Sequence, residues 1–378
     1  MSATEYPRLA ALTGVRFLAA FAVLISHFHA RGLTPIPLEL YAFLDAGRTA
    51  VVLFFVLSGF ILTVNYWNLE SGPGTRRFLV NRLARIYPVA LLALGVGAVG
   101  TLIAAQPGNG HLLREWYGLE RISVPGLLGG LLGQLSLTTS VLPWAELNQP
   151  WNGPAWSISV EAFFYLSFPA LIMWMRRKPL RWIARACVLG FAGQALLVIG
   201  ILALARGPAG WYLVYQSPMA HFFAFFLGVA AALAYLRGGR EWLAEGRRRA
   251  LAVWGSAAGI AGLSAAHLTD PKYLLMTPLF ALLILGLATP IAVRGGGARP
   301  GALGHPVLVL LGEASYALYM LHTPLMNLYS LAGPGPVLGW VLLAATVLAS
   351  IVVFSRFETP ARKAVIAALA PKAGFRSR

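Results

Sequence analysis

Charge is scarce in this chain: of 378 residues only 11% are Asp, Glu, Lys or Arg, and 13 acids stand against 30 bases. With 58% hydrophobic residues, that scarcity excludes an ordinary soluble globular protein. No polar block is long enough to fold as a soluble domain, and the longest weakly hydrophobic interval, 106–121, is short. A single cysteine, Cys187, excludes an intrachain disulfide framework, and its apolar setting reads as a buried structural thiol. No internal repeat is detectable, so the inverted-repeat signature of many secondary transporters is missing. A cleavable leader is excluded too, because Arg16 interrupts the first apolar run and SHFHARG is a poor match to a small-residue cleavage site.

What is present is a series of apolar runs near the ~20-residue length of a membrane span. They lie near 10–29, 49–67, 86–105, 122–142, 154–175, 182–205, 212–236, 250–267, 273–293, 306–331 and 337–357. Open sheet edges are not viable in lipid, so all are expected to be helices. The net charge of +17 would suggest nucleic acid in a soluble protein, but here the bases cluster in short loops, as the positive-inside rule requires. These clusters are Arg76, Arg77, Arg82 and Arg85; Arg176 to Lys178, Arg181 and Arg185; Arg237, Arg240 and Arg247 to Arg249; and the tail from Arg362 to Arg378. If all are cytoplasmic, an even number of crossings separates Arg85 from Arg176, yet three apolar runs lie between them. The Gly-, Ser- and Thr-rich run 122–142 suits a re-entrant or interfacial element. The expectation is an all-α integral membrane protein with about ten transmembrane helices and both termini cytoplasmic. It is a single domain over 1–378, with spans inside 10–357, a short basic tail at 358–378 and no appended soluble domain.

Ionisable residues inside such spans are functional candidates, since each is costly in lipid unless it faces a polar interior. Arg16 and His27 are eleven residues apart, three helical turns plus about 20°, so they share one face with a rise of roughly 16 Å between them. Arg82 and Arg85 are three apart and can grip an anion together. In PWNGPAWSISVEAFFYLSFP, Glu161 lies about two turns inside a helix starting near Pro154, with Ser157 and Tyr165 one turn to either side. Such a carboxylate needs a partner or becomes suited to acid–base work. Ser315 and His322 in LGEASYALYMLHTPL are seven apart and nearly share a face, with Tyr319 close to it. The loop charges put Arg16 inside and place His27, Glu161 and His322 in the outer half.

Taken in order, R-x10-H in the first helix, VVLFFVLSGF in the second, RLARIYP, WSISVEAFFYL and SYALYMLH resemble membrane acyltransferase family 3, which includes O-antigen, Nod-factor, exopolysaccharide and macrolide O-acyltransferases. The resemblance covers roughly residues 8–360. It implies a multi-pass protein of the plasma (inner) membrane that transfers an acyl group, usually acetyl, from a cytoplasmic acyl-CoA to a hydroxyl. The acceptor is then a carbohydrate, glycolipid or secondary metabolite, and neither a metal nor nucleic acid is implied; a separate partner protein is left open. The family's Arg and His fall on Arg16 and His27, its basic pair on Arg82 and Arg85 and its acid on Glu161. Two positions depart from it: Val52 and Ala162 stand where relatives often carry acids. Asp45 lies in the preceding loop, so Glu161 is expected to be the partner that orients His27. On this reading His27 and Glu161 are catalytic, Arg16, Arg82 and Arg85 bind the coenzyme A phosphates, and Ser315, Tyr319 and His322 support them. A transporter or flippase for an acidic lipid or sugar, using the same buried groups as a proton relay, is the alternative, with a membrane scaffold as a third reading.

Overall fold

The computed structural model describes residues 9–37, 47–141, 143–205, 207–266, 272–293, 297–299 and 301–369. Asp45 and the end of the basic tail, including Lys372, Arg376 and Arg378, lie outside the described residues. The architecture is all-helical apart from a two-stranded antiparallel ribbon that pairs Ile291 with Arg299. In chain order the helices that matter are α1 (Ala10–Ala30), α2 (Gly47–Tyr66), α3 (Pro73–Ala104), α4 (Gly110–Tyr117), α5 (Val124–Ser136), α6 (Ala145–Asn148), α7 (Trp156–Met175) and α8 (Leu180–Leu204). They are followed by α9 (Pro208–Tyr215), α10 (Pro218–Ala234), α11 (Ser256–Ala265), α12 (Tyr273–Ala288), α13 (Pro306–Glu313), α14 (Ser315–Ser330), α15 (Pro336–Val353) and α16 (Thr359–Leu369).

Among the described residues, seven helices are long and apolar enough to cross a membrane, counting 208–243 as one. The runs 250–267, 273–293 and 306–331 are not among the seven, because their helices are short or broken: α11 has 10 residues. The run 306–331 breaks at Ala314 into α13 and α14, and α12 has only 16 residues. The run 212–236 breaks at Gln216, because Pro218 starts a new helix whose N-cap, Ser217, accepts a hydrogen bond from the Met219 amide at 3.3 Å. Conversely, the basic stretch before the third run is helical: α3 is 32 residues long, begins with Pro73 at N1, and carries Arg82 and Arg85 on its early turns.

Burial explains which helices form the centre. α2 is apolar all round and 72% of its span is buried, whereas α8 is only 11% buried and presents Val188, Leu189 and Leu196 outward. A helix hydrophobic on every side belongs in the middle of a bundle or against lipid; α2 takes the first place and α8 the second. Cys187, expected to be buried, is half-buried on α8. α2 packs most intimately on α10, where Gly59 and Gly228 meet reciprocally. A Cβ on Gly59 would strike the Phe225 carbonyl oxygen, and one on Gly228 the Val56 carbonyl oxygen. Small residues here let the two backbones touch, the usual device where lipid offers no hydrophobic drive for association. Around this pair Phe55, Phe60, Phe164, Phe168 and Phe225 form the main core.

The loop entering α7 is anchored to the bundle. Trp151 takes a left-handed φ of 71°, costly for a bulky residue, and is held by its amide donating to Thr101 Oγ1 at 2.9 Å and its indole donating to the Leu127 carbonyl at 3.0 Å. Asn152 then donates to the Met320 carbonyl at 3.0 Å, tying this loop to α14.

Candidate functional site

Two neighbouring cavities lie within the bundle. The lower one, about 140 Å³, is lined by Arg16, Arg82, Arg85, Glu161, Ser315 and Tyr319, among others. Its wall on α2 reaches from Val51 to Leu62, eleven residues or roughly 16 Å of helix. The upper one, about 370 Å³, contains His27, Arg31, His221 and a group of aromatic rings. Val51 and Tyr319 line both, so the cavities are neighbours across these two side chains.

At the lower end the three arginines predicted from sequence converge, each held differently. Arg85 forms an ion pair with Glu358, which is 1% exposed, and lies 5.7 Å from the Tyr316 ring centre. Arg82 sits over the rings of Tyr66, Phe78 and Tyr165 at 5.5–6.0 Å and donates to the Tyr66 hydroxyl at 3.3 Å, while its buried Nε has no partner. Arg16 lies in the field of Arg85, Glu313 and Glu161 but has no hydrogen-bond or ion-pair partner among the described residues. A guanidinium offers five donors in a planar fork, so the Arg16 group and the Arg82 Nε leave donors directed at a chamber that suits an anion.

Glu161 lines this lower chamber and is held by Ser58 and Tyr165, which corrects the expectation that it orients His27. Its Oε1 accepts from the Tyr165 hydroxyl at 2.6 Å and from Ser58 at 3.1 Å. The Tyr165 bond follows from i,i+4 spacing on α7; the Ser58 bond depends on how α2 and α7 pack, which no spacing within one helix reveals.

Among the described residues, His27 meets His322. Nδ1 of His27 lies 2.9 Å from Nε2 of His322, and the ring planes are nearly parallel, 16° apart, with centres 5.0 Å from each other. His322 is 1% exposed, and its Nδ1 lies 2.5 Å from the Tyr319 carbonyl oxygen. A carbonyl only accepts, so Nδ1 of His322 carries a proton and, in the neutral ring, its Nε2 is bare. That nitrogen therefore accepts from Nδ1–H of His27, with the Thr323 hydroxyl also 3.1 Å away. With that proton on Nδ1, a neutral His27 ring carries its basic lone pair on Nε2. A backbone carbonyl thus sets the tautomer of a histidine pair in which His27 is the basic member.

The supporting residues divide. Tyr319 borders both cavities, and its hydroxyl donates to the Pro154 carbonyl at 3.3 Å. Ser315 reaches the lower cavity, but its hydroxyl donates to the Gly312 carbonyl at 2.7 Å, where α13 ends. Val52 lines the upper cavity.

Several residues were not singled out from the sequence. His221 and Glu358 are ionisable groups in or beside apolar runs, and the rule that drew attention to Arg16 applies equally to them. Arg31 sits just beyond α1, pairs with Glu115 at 3.3 Å and donates to Asn327 Oδ1 at 3.2 Å, closing one side of the upper mouth. Ser58 stands within the VVLFFVLSGF stretch, but a lone serine in an apolar helix gives no sign of a carboxylate opposite it.

No solved structure matches the chain. Among curated proteins it is 29% identical to Acyltransferase MdmB of Streptomyces mycarofaciens, covering 83% of this chain and 78% of the relative. It is 27% identical to the exopolysaccharide production protein ExoZ of Rhizobium meliloti (strain 1021), covering 76% of this chain and 79% of the relative. It is also 24% identical to Nodulation protein 10 of Rhizobium leguminosarum bv. viciae, over 83% and 82% of the two chains. With residues 9–356 matching the acyltransferase domain as a family, and with an anion-suited chamber beside the cavity of a histidine pair inside a helical membrane bundle, the chain belongs to the acyltransferase domain family and is an enzyme that transfers acyl groups.

Proposed function

We propose that the enzyme transfers an acyl group, acetyl as the simplest case, from an acyl-CoA entering the lower cavity to a hydroxyl held in the upper one. The carrying observation is that the two cavities share Val51 and Tyr319 as a wall, with guanidiniums in one and His27 in the other. At about 140 Å³ the lower cavity is below the ~300–1,000 Å³ of a typical small-molecule pocket. It admits a slender thioester arm and leaves the nucleotide at the basic mouth. Arg16 and Arg82 bind phosphate oxygens there, while Arg85 is neutralised by Glu358. Glu161, fixed by Ser58 and Tyr165, faces the arm midway. His27 Nε2 takes the acceptor's hydroxyl proton as the oxygen attacks the thioester carbonyl; the C–S bond then breaks and the thiolate takes up that proton. His322 holds His27 in the tautomer this needs.

The relative named for exopolysaccharide production supports a carbohydrate hydroxyl as acceptor, and the one named an acyltransferase supports the transfer itself. The loop charges support an inner-membrane protein with ten crossings, both termini cytoplasmic and the lower cavity open to the cytoplasm. A transporter using the same groups would not consume thioester. The test is acceptor-dependent release of free coenzyme A thiol by membranes carrying wild type or His27→Ala. Loss of a general base costs about 10²–10⁴ in rate, so the variant falls to background. Wild-type release in His27→Ala sinks the proposal.

A further inference from the structure

Opposite His27, the upper cavity presents a second histidine that the transfer step does not use. α9 ends at Tyr215, and the break at Gln216 denies the Tyr215 carbonyl its next helical donor. The His221 Nε2, 3.0 Å away, supplies one. That bond fixes the His221 tautomer: Nε2 carries the proton and Nδ1 is a bare acceptor. His221 is 3% exposed, and Nδ1 has no hydrogen-bond partner. Gln216, in the break itself, is 4% exposed and its Oε1 is likewise unpartnered. Both residues line the cavity that holds His27. Two buried acceptors without donors are costly in an empty chamber, and both can be satisfied by a ligand that brings hydrogens.

The rest of the wall narrows what that ligand is. The His221 ring lies 5.8 Å from Trp156 and 5.4 Å from Tyr273, so apolar faces flank the two acceptors. Arg31 in the same cavity is already paired with Glu115 and offers no free charge to a ligand, and an anion would set its own lone pairs against Nδ1 and Oε1. A neutral molecule with C–H faces and several O–H groups fits all of these. Resting on the transfer reading above, we propose that His221 and Gln216 form a subsite that accepts hydrogen bonds from non-reacting hydroxyls of a neutral polyhydroxylated acceptor. Both are positioning residues that set which hydroxyl reaches His27.

The test is direct binding to the full chain in lipid nanodiscs, by saturation-transfer NMR. The probes are the methyl glycosides of glucose, galactose, mannose and rhamnose, with hydroxyl-free 2-methoxytetrahydropyran as comparison. At least one glycoside should bind about tenfold or more tighter than the hydroxyl-free ring. His221→Phe and Gln216→Leu should each weaken that glycoside about tenfold, the worth of one neutral hydrogen bond, without altering 2-methoxytetrahydropyran binding. His221→Asn, whose Oδ1 replaces the acceptor at Nδ1, should restore most of the affinity, which a merely structural role would not. If His221→Phe does not fold, Gln216→Leu carries the comparison. The subsite is overturned if no glycoside binds tighter than the hydroxyl-free ring, or if both folded variants bind as wild type does. Glycoside binding without thioester consumption overturns the transfer reading and leaves the subsite standing; consumption without selective glycoside binding does the reverse.

Discussion

Replacing His322 tests the histidine pair more sharply than replacing His27, because His322 faces away from the reacting atoms and acts only through its neighbour. In His322→Leu the volume is nearly kept, but Nδ1–H of His27 loses the acceptor now 2.9 Å away. A stranded polar hydrogen costs about 1–3 kcal/mol, and the ring can escape by moving the proton to Nε2, which removes the lone pair that receives the acceptor's proton. At 1.36 kcal/mol per tenfold in rate, this predicts a fall in kcat of about 5- to 150-fold. Affinity for the acyl donor should not change, because no arginine of the lower cavity touches His322. His322→Gln keeps an oxygen that can accept from His27 and should recover most of the rate. The assay is coenzyme A thiol release at saturating acceptor, with kcat and the donor KM determined separately. Wild-type kcat in His322→Leu, or an equal loss in the Gln and Leu variants, would refute the tautomer argument.

Three further outcomes follow from the packing and the surface. Gly59→Ala and Gly228→Ala should each destabilise the bundle by about 1–3 kcal/mol, because their Cβ atoms meet backbone carbonyls that cannot turn aside; Gly193→Ala, with nothing within 4 Å, should be neutral or stabilising in the same thermal unfolding assay. Glu358→Ala leaves Arg85 unpaired in a buried site and should cost about 3–5 kcal/mol, with Arg85→Met/Glu358→Leu regaining part of it. Glu146 accepts from both the amide and the hydroxyl of Ser123 at 2.6 Å, which hold its carboxyl below the ordinary value of 4.5. A depressed carboxylate stabilises above its unfolded pKa and loses that contribution as pH falls through the folded one. Amide exchange in α5 should therefore be slower in wild type than in Glu146→Gln at neutral pH, with the difference vanishing in acid.

Features confined to one helix were legible in the sequence. The spacing alone puts Arg16 and His27 on one face, and the structure sets Arg16 in one of two neighbouring cavities and His27 in the other. Arg82 and Arg85 face the same lower chamber for the same reason. Features made between helices were not legible. The rule that a buried acid seeks a partner pointed Glu161 at His27, but Glu161 rests on Ser58 and Tyr165, and His27 meets His322 across 295 positions of sequence. Hydropathy also hid the helix breaks, since Gln216 and Ala314 lie within runs whose average remains apolar. Ser217-Pro218 carried the signal for the first break, an N-cap followed by Pro at N1; it was outweighed by the apolar residues on both sides. Nothing in the sequence around His221 marks its role, which depends on the break at Gln216 that turns its Nε2 to the Tyr215 carbonyl and leaves Nδ1 bare.

The same reasoning bears on α5, where length and packing agree. Its 13 residues rise about 20 Å, well short of a ~30 Å hydrocarbon core. Its glycine face lies against α6 and the α7 entry loop: Gly126 meets Glu146, Gly129 meets Leu147 and Gly130 meets Trp151. The opposite face exposes Val124, Leu128 and Leu132, each more than half open. A helix too short to cross, apolar outward and docked by glycines inward, belongs against the protein at one membrane surface. Residues flanking it must then lie on one side of the bilayer. In a Cys187→Ser background, Glu120→Cys and Val141→Cys should both react with a membrane-impermeant maleimide applied to the same face of sealed vesicles, whereas a crossing α5 would protect one of the two. That outcome would also remove the parity argument that gives an even number of crossings between Arg85 and Arg176, and with it the assignment of the lower cavity to the face that supplies acyl-CoA.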